Sequence, residues 1–262
     1  MTYTHAIVRT PAENFAAGLT TVDLGSPVYE TALAQHRAYC QALQACGMAL
    51  TVLPPDPQHP DSTFVEDAAI VTARCAILTY PGAESRRGEV AGVRTALSPF
   101  YDRFYAIMSP GTVDGGDVCE ADGHFFIGLS ERTNEAGARQ LASFLEREGY
   151  TASFIPATGI PGLLHLKSGI AYLGEGNLVL IDEFAGMPAF QDYRIVRVSP
   201  EEAYAANCLR VNERVLVAEG YPRLCQAIEE LGYSTLPVEM SEFQKMDGGL
   251  SCLSLRLARP AG

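Results

Sequence analysis

Along the chain an amphipathic stretch recurs, followed each time by a short apolar run ending near a proline, a polar or Gly-rich loop and a second apolar run. The first copy predicts a helix over His36 to Cys46, stopped by Gly47, and a strand from Met48 to Leu53 before Pro54. Its loop reaches Glu66 and Asp67 and leads into Ala68 to Val71. The second predicts a helix over Arg87 to Leu97, a strand from Phe104 to Met108, then Pro110 and the loop Asp114-Gly115-Gly116-Asp117, with the next strand from Val118. In the third, Glu135 to Glu148 reads as helix and Tyr150 to Ile155 as strand, and Pro156 leads to His165-Leu166-Lys167. The fourth has only a degenerate helix near Phe190 before Ile195 to Val198, Pro200 and Ala206-Asn207. The fifth runs from a helix over Pro222 to Leu231, through a strand to Leu236 and Pro237, to Asp247-Gly248-Gly249 and the apolar Leu250 to Leu257.

With Pro54, Pro110, Pro156, Pro200 and Pro237 as markers, the intervals are 56, 46, 44 and 37 residues, and five such units fill the chain. No unit of this size buries its own sheet, so radial stacking into one closed α/β domain over residues 1–262 is the economical arrangement. The competing arrangement is a doubly wound α/β sheet, but no Gly-x-Gly-x-x-Gly or Walker sequence supports nucleotide binding.

Composition narrows the class. Apolar residues make up 47% and charged residues 19%, a globular mixture, and the longest apolar runs are strand-sized, so no membrane span is expected. The first ten residues lack a basic-then-apolar leader pattern, which places the protein in the cytoplasm. Seven cysteines without Cys-x-x-Cys spacing are expected as free thiols. A net charge of −12 argues against nucleic acid as a partner and mildly favours small cationic substrates.

The chemistry-bearing residues fall in the equivalent loops: Glu66 and Asp67, Asp114 and Asp117, His165, Asn207 and Cys252. If the units surround an axis, these loops converge and bring together a thiol, an imidazole and carboxylates, the parts of a hydrolase. Cys75, Cys119 and Cys208 read as small core residues, whereas the Gly-Gly pair before Cys252 allows close approach of a ligand. A histidine between leucines, as His165 is, is more often a hydrogen-bonded core residue than a catalyst. Asp67 and Asp114 open toward apolar strands, where a carboxylate needs a partner, and Asp117 reads as a structural acceptor for loop amides. Arg86 and Arg132 precede helices and read either as solvated charge or as a clamp on a substrate carboxylate. No His-x-x-x-His or Cys-x-x-Cys pair suggests a metal.

At these residues the sequence resembles the bacterial-type dimethylarginine dimethylaminohydrolases of the pentein, or guanidino-group-modifying, superfamily. The resemblance spans nearly the whole chain. It is carried by Gly18-Leu19-Thr20, Pro60-Asp61-Ser62-Thr63-Phe64-Val65-Glu66-Asp67, Pro81 through Glu89, Asp114-Gly115-Gly116-Asp117, Arg132-Thr133-Asn134, His165-Leu166-Lys167-Ser168, Ala205-Ala206-Asn207-Cys208 and Asp247 through Cys252. It implies a five-bladed α/β propeller, with Cys252 as nucleophile, His165 as general acid and base, and Asp67 and Asp114 holding the guanidinium. It further implies Arg86 and Arg132 on the substrate carboxylate, and Asp61 with the carbonyls of Leu19 and Met246 on the α-amino group. Glu66 adjoins this set, without a firm role. One departure is Asp114-Gly115, where close bacterial relatives often have Glu-Ala; mammalian-type relatives resemble this chain there. Asp114→Glu is therefore expected to keep partial activity, improved by Gly115→Ala if the loop sets the reach.

The activity so implied is hydrolysis of asymmetric dimethylarginine or monomethylarginine to citrulline and an amine through a covalent thiouronium on Cys252, with no metal or other cofactor, no nucleic acid or membrane partner, and a homodimer allowed. Two alternatives stay open. A deiminase would act on arginine or another guanidine, although the usual helical insertion of arginine deiminases has no room here and the two arginines count against agmatine. A non-catalytic pentein would be a ribosome-binding module, which retention of His165 and Cys252 disfavours.

Overall fold

Strands of three to five residues, such as Ala69–Val71 and Asn177–Ile181, cannot form a stable sheet alone. The chain assembles them in threes. The computed structural model describes residues 2–258, so Met1 and residues 259–262 of the expected domain lie outside the described residues. In chain order the strands are β1 (Tyr3–Arg9), β2 (Ala49–Leu53), β3 (Ala69–Val71), β4 (Ala76–Leu78), β5 (Phe104–Ala106), β6 (Val118–Ala121), β7 (His124–Leu129), β8 (Thr151–Pro156), β9 (Ile170–Gly174), β10 (Asn177–Ile181), β11 (Arg194–Val198), β12 (Leu209–Val211), β13 (Arg214–Ala218), β14 (Ser234–Val238) and β15 (Leu255–Ala258). They form five three-stranded sheets: β15-β1-β2, β3-β4-β5, β6-β7-β8, β9-β10-β11 and β12-β13-β14. Each sheet is a blade whose inner strand is antiparallel to the middle one and whose middle strand is parallel to the outer one.

A parallel pair needs a crossover, and here a helix supplies it between middle and outer strands. These are α1 (Tyr29–Ala45), α2 (Glu89–Leu97), α3 (Glu135–Arg147), the four-residue α4 (Asp182–Ala185) and α5 (Pro222–Glu229). The five-bladed α/β propeller is thus the observed fold. The doubly wound alternative is excluded for the described residues, because no sheet has more than three strands.

Two expectations need correction. The repeat visible in sequence, helix then strand then loop then strand, straddles two blades, pairing the outer strand of one with the inner strand of the next. The short middle strands, wholly buried in β4 and β10, carry no alternation to mark them. Secondly, α1 begins at Tyr29, a full two turns before the predicted His36. Its N-terminal half buries polar residues: the Gln35 amide donates to Ser241 Oγ at 2.8 Å and accepts from the Glu242 N–H at 3.0 Å. A face buried through hydrogen bonds has no apolar period to read.

The core lies between helices and sheets and between neighbouring sheets. Leu178, Leu180, Phe184, Phe190 and Val215 fill one such layer, each contributing roughly 1.5–3 kcal/mol by burial. Cys75, Cys119 and Cys208 sit in these apolar layers, as read from sequence, and all seven cysteines are free thiols. No helix among the described residues is long and apolar enough to cross a membrane.

What positions the site is a feature repeated in every blade. Just ahead of each inner strand stands a short 3-10 helix: Val65–Ala68, Gly115–Asp117, Leu166–Ser168, Pro200–Ala206 and Ser251–Leu253. The first four turns pack in succession, the last packs against the first, and Asn207 just after the fourth accepts the Ser251 N–H of the last, so they collect at one end of the propeller axis.

Candidate active site

Asp67, in the first of these turns, is held at both oxygens. Oδ1 accepts the Gly116 N–H at 2.9 Å, and Oδ2 accepts from Arg86 Nη1 at 2.5 Å. Asp114 enters from the second turn and is fully buried; its Oδ1 accepts the Gly82 N–H at 2.9 Å, and its Oδ2 lies 3.1 Å from His165 Nε2. Between them Gly116 has to lack a side chain, because a Cβ there would stand 2.8 Å from His165 Nδ1 and 2.9 Å from Asp67 Oδ1. The Asp-Gly-Gly-Asp loop therefore lets an imidazole slide against two carboxylates. Asp117 accepts from the Leu166 N–H and from the hydroxyls of Ser130 and Thr133, which is the structural role read for it.

The electrostatics follow from this packing. Burial alone would lower the pKa of His165, but Asp67, the Asp114 hydrogen bond and Asp117 outweigh it and raise it to about 9. Burial likewise pushes the Asp114 carboxyl up, yet His165 and then Arg86 hold it below the usual carboxylate value. An imidazolium bracketed by carboxylates is the resting form at neutral pH. Ligand atoms of Asp67, Asp114 and His165 lie within 4.8 Å of one another, close enough for a metal triad. An imidazolium has no lone pair to offer a metal, and each carboxylate oxygen already has a protein partner, so the donor chemistry fits a proton site better than a metal site.

Cys252 stands in the last turn, buried, with its Sγ 3.4 Å from the Gly249 N–H. Burial, then Glu66 and Asp67, push its thiol up to about 12. Cys208, deep in the core, has the same value, so acidity does not distinguish the two. Position does. Cys252 opens on a narrow cleft of about 20 Å³ that is also lined by Leu19, Asp61, Asp67, Arg86, Arg132, His165 and Met246.

Four of the loop residues singled out in the sequence, Glu66, Asp114, Asp117 and Asn207, are absent from that lining. Asp114 stands behind His165. Glu66 turns away: Lys167 Nζ and Arg256 Nη2 donate to its Oε1 at 2.7 and 2.9 Å, and Ser251 Oγ donates to Oε2 at 2.7 Å. These groups line a separate cavity of about 130 Å³ among the inner strands. Asp61 receives the Leu19 N–H, and its carboxyl is pushed up by burial against the opposing pull of Arg86. The two arginines differ. Buried Arg86 gives its guanidinium to Glu89, Asp67 and the carbonyls of Asp61 and Phe64, which leaves one Nη1 N–H. Arg132 is half-buried on the cleft wall, and its guanidinium has no hydrogen-bond partner among the described residues.

Sequence reasoning missed Glu89, Lys167 and Ser251, each of which satisfies a buried charge beside the site. Their signal was adjacency to the motifs Arg86-Arg87 and His165-Leu166-Lys167 and to Cys252, but an exposed charge carries the same letters. The expectation for Gly115→Ala is also overturned, because a Cβ there would lie 2.0 Å from the Glu66 carbonyl oxygen.

Residues 24–214 match the family model described as N,N dimethylarginine dimethylhydrolase, eukaryotic. The chain is 49% identical over 255 residues to the N(G),N(G)-dimethylarginine dimethylaminohydrolase of Pseudomonas aeruginosa, covering 97% of this chain and 99% of that one. Its identity to the protein of the same name from Streptomyces coelicolor is 36%, covering 96% of each. Among solved structures, a serine mutant of the Pseudomonas aeruginosa protein complexed with citrulline superposes with a TM-score of 0.95 at 48% identity, over 98% of this chain and 100% of that one. A dimethylarginine dimethylaminohydrolase variant in an adduct with S-methyl-L-thiocitrulline gives 0.94 over 97% and 100%.

Proposed function

The chain belongs to the dimethylarginine dimethylaminohydrolase family, and from that premise we propose that it hydrolyses N-omega-methylated arginines to citrulline and dimethylamine or methylamine, with Cys252 as nucleophile and His165 as proton carrier. The observation that carries this reading is the one cleft wall on which a thiol, an imidazolium and a carboxylate of Asp67 meet, with unpaired Arg132 also on the lining. In the resting protein the thiol keeps its proton. A guanidinium bound beside Asp67 replaces part of the negative field that holds the thiol up, so substrate itself favours loss of that proton to solvent. Sγ then bonds to the guanidinium carbon, and His165, supported by Asp114, donates its proton to the departing amine as the C–N bond breaks. The thiouronium remains on Cys252. Neutral His165 next takes a proton from water, the hydroxide adds to the same carbon, and the C–S bond breaks to release thiolate and citrulline, whose carbonyl forms as the hydroxyl proton passes to solvent.

In this proposal Asp114 orients and charges His165 rather than touching the guanidinium, since it bonds to the imidazole and, unlike Asp67, does not line the cleft. Arg132 is the principal clamp for the substrate carboxylate. Arg86 chiefly fixes Asp67 and adds its one remaining N–H. Mass spectrometry of products from asymmetric dimethylarginine, monomethylarginine, arginine and agmatine tests the reading; citrulline from the methylated substrates supports it, and turnover of arginine or agmatine in their place would make the protein a deiminase.

The arginines give a separable prediction. Arg132→Ala should lower kcat/KM for dimethylarginine about 10- to 100-fold, the worth of roughly 1.5–3 kcal/mol for a charge-assisted contact, with an unchanged thermal transition. Arg86→Ala should also destabilise the fold by about 3–5 kcal/mol, because buried Glu89 loses its cation. Calorimetry beside kinetics separates the two; equal losses for substrates with and without an α-carboxylate would remove the clamp.

A further inference from the structure

Asn207 closes the fourth turn, is buried, and lines no part of the cleft. Its side chain nevertheless ties together the two turns that carry the proposed chemistry. Nδ2 donates to the Lys167 carbonyl at 2.9 Å and to Ser251 Oγ at 3.1 Å, while Oδ1 accepts the Ser251 N–H at 2.9 Å. The surroundings fix the amide's orientation: reversed, its oxygen would face the Lys167 carbonyl and its NH2 would face the Ser251 N–H. Ser251 Oγ donates onward to Glu66, and Lys167 Nζ returns to the same carboxylate, so four turns are joined in a closed circuit of hydrogen bonds. The nucleophile loop also lies against the amide. A Cβ at Gly249 would meet Asn207 Cγ at 2.5 Å, and it is the Gly249 N–H that reaches Cys252 Sγ.

We infer that Asn207 is a positioning residue for the reaction: one buried amide sets the Ser251-Cys252 turn against the His165-Leu166-Lys167 turn and thereby fixes the thiol relative to its proton carrier. The inference rests on the function proposed above. Because Asn207 touches no cleft wall, its loss should leave substrate binding intact and slow the bond-forming step, where a displacement of about 1 Å can cost around 100-fold.

In Asn207→Ala, kcat for dimethylarginine should fall about 10- to 100-fold with KM nearly unchanged, and quenched-flow mass spectrometry should show the Cys252 adduct forming more slowly by the same factor. Ser251→Ala, which keeps the N–H that Asn207 holds, should lose less. Gly249→Ala, pushing a methyl into the amide from the other side, should reproduce the kcat loss, and it decides the matter if Asn207→Ala does not fold. A folded Asn207→Ala or Gly249→Ala protein with wild-type kcat, or one whose KM rises at constant kcat, overturns the inference. If the wild-type protein itself releases no citrulline, the functional reading falls instead.

Discussion

Cys252→Ser should fold with an unchanged thermal transition and lose dimethylarginine hydrolysis by at least about 10³-fold, because a serine hydroxyl without a strong base is a far weaker nucleophile than a thiolate. Cys208→Ser, remote from the cleft, should keep its catalytic rate. The same cysteine offers a sharper test. A thiol pushed up to about 12 reacts slowly with neutral iodoacetamide at pH 7, and its rate should keep rising through pH 9. A haloacetamidine, which carries its own cation, should label Cys252 much faster at pH 7, since the bound charge offsets the field of Glu66 and Asp67. Peptide mapping after each reagent reads the result. Equal rates for neutral and cationic reagents would show that substrate charge plays no part in making the thiolate.

Asp114→Asn should reduce kcat by about 10²- to 10⁴-fold, the usual worth of a well-supported general acid and base. The amide keeps the shape but removes the charge that faces His165. His165 in the folded protein titrates at about 9 against 6.5 unperturbed, so the stability it gains from Asp67 and Asp114 is complete below pH 6.5 and disappears as pH rises through about 9. Turnover that needs the imidazolium should decline over the same alkaline limb. Without the Asp114 charge that limb moves to lower pH, and the variant should be relatively most active in mild acid. A pH–rate profile beside a thermal melt distinguishes this from a loop defect, in which activity and stability would fall together at every pH. A fully active Asp114→Asn protein would leave Asp67 as the carboxylate that sustains His165.

Sequence and structure agree where local signals are strong. The markers Pro54 through Pro237 correctly counted five units, because a helix stopped by glycine and a strand stopped by proline are readable without tertiary context. The blade boundary was not readable, since β4 and β10 are buried on both faces and lack alternation. Within the site, ordered motifs collected the residues that line the cleft, but letters do not say which way a side chain turns. Glu66 and Asp67 are adjacent and chemically alike, yet one faces the cleft and the other an ion-pair cluster on the opposite side of the turn. Arg86 and Arg132 also look equivalent in sequence. Only the position of Glu89 one turn later commits the first of them to an internal pair.

The pairing of β15 with β1 has a consequence for how the protein comes into being on the ribosome. Tyr3–Arg9 is synthesised long before Leu255–Ala258, and the two exchange hydrogen bonds with Ile7 opposite Leu255. Until then the first blade lacks its inner strand and the circle stays open. Cys252 sits three residues ahead of that closing strand, so the segment that seals the circle also delivers the thiol. A nascent chain still short of that segment has bare strand edges and lacks the sulfur that the proposed chemistry uses. On the proposed chemistry, hydrolysis begins only with closure.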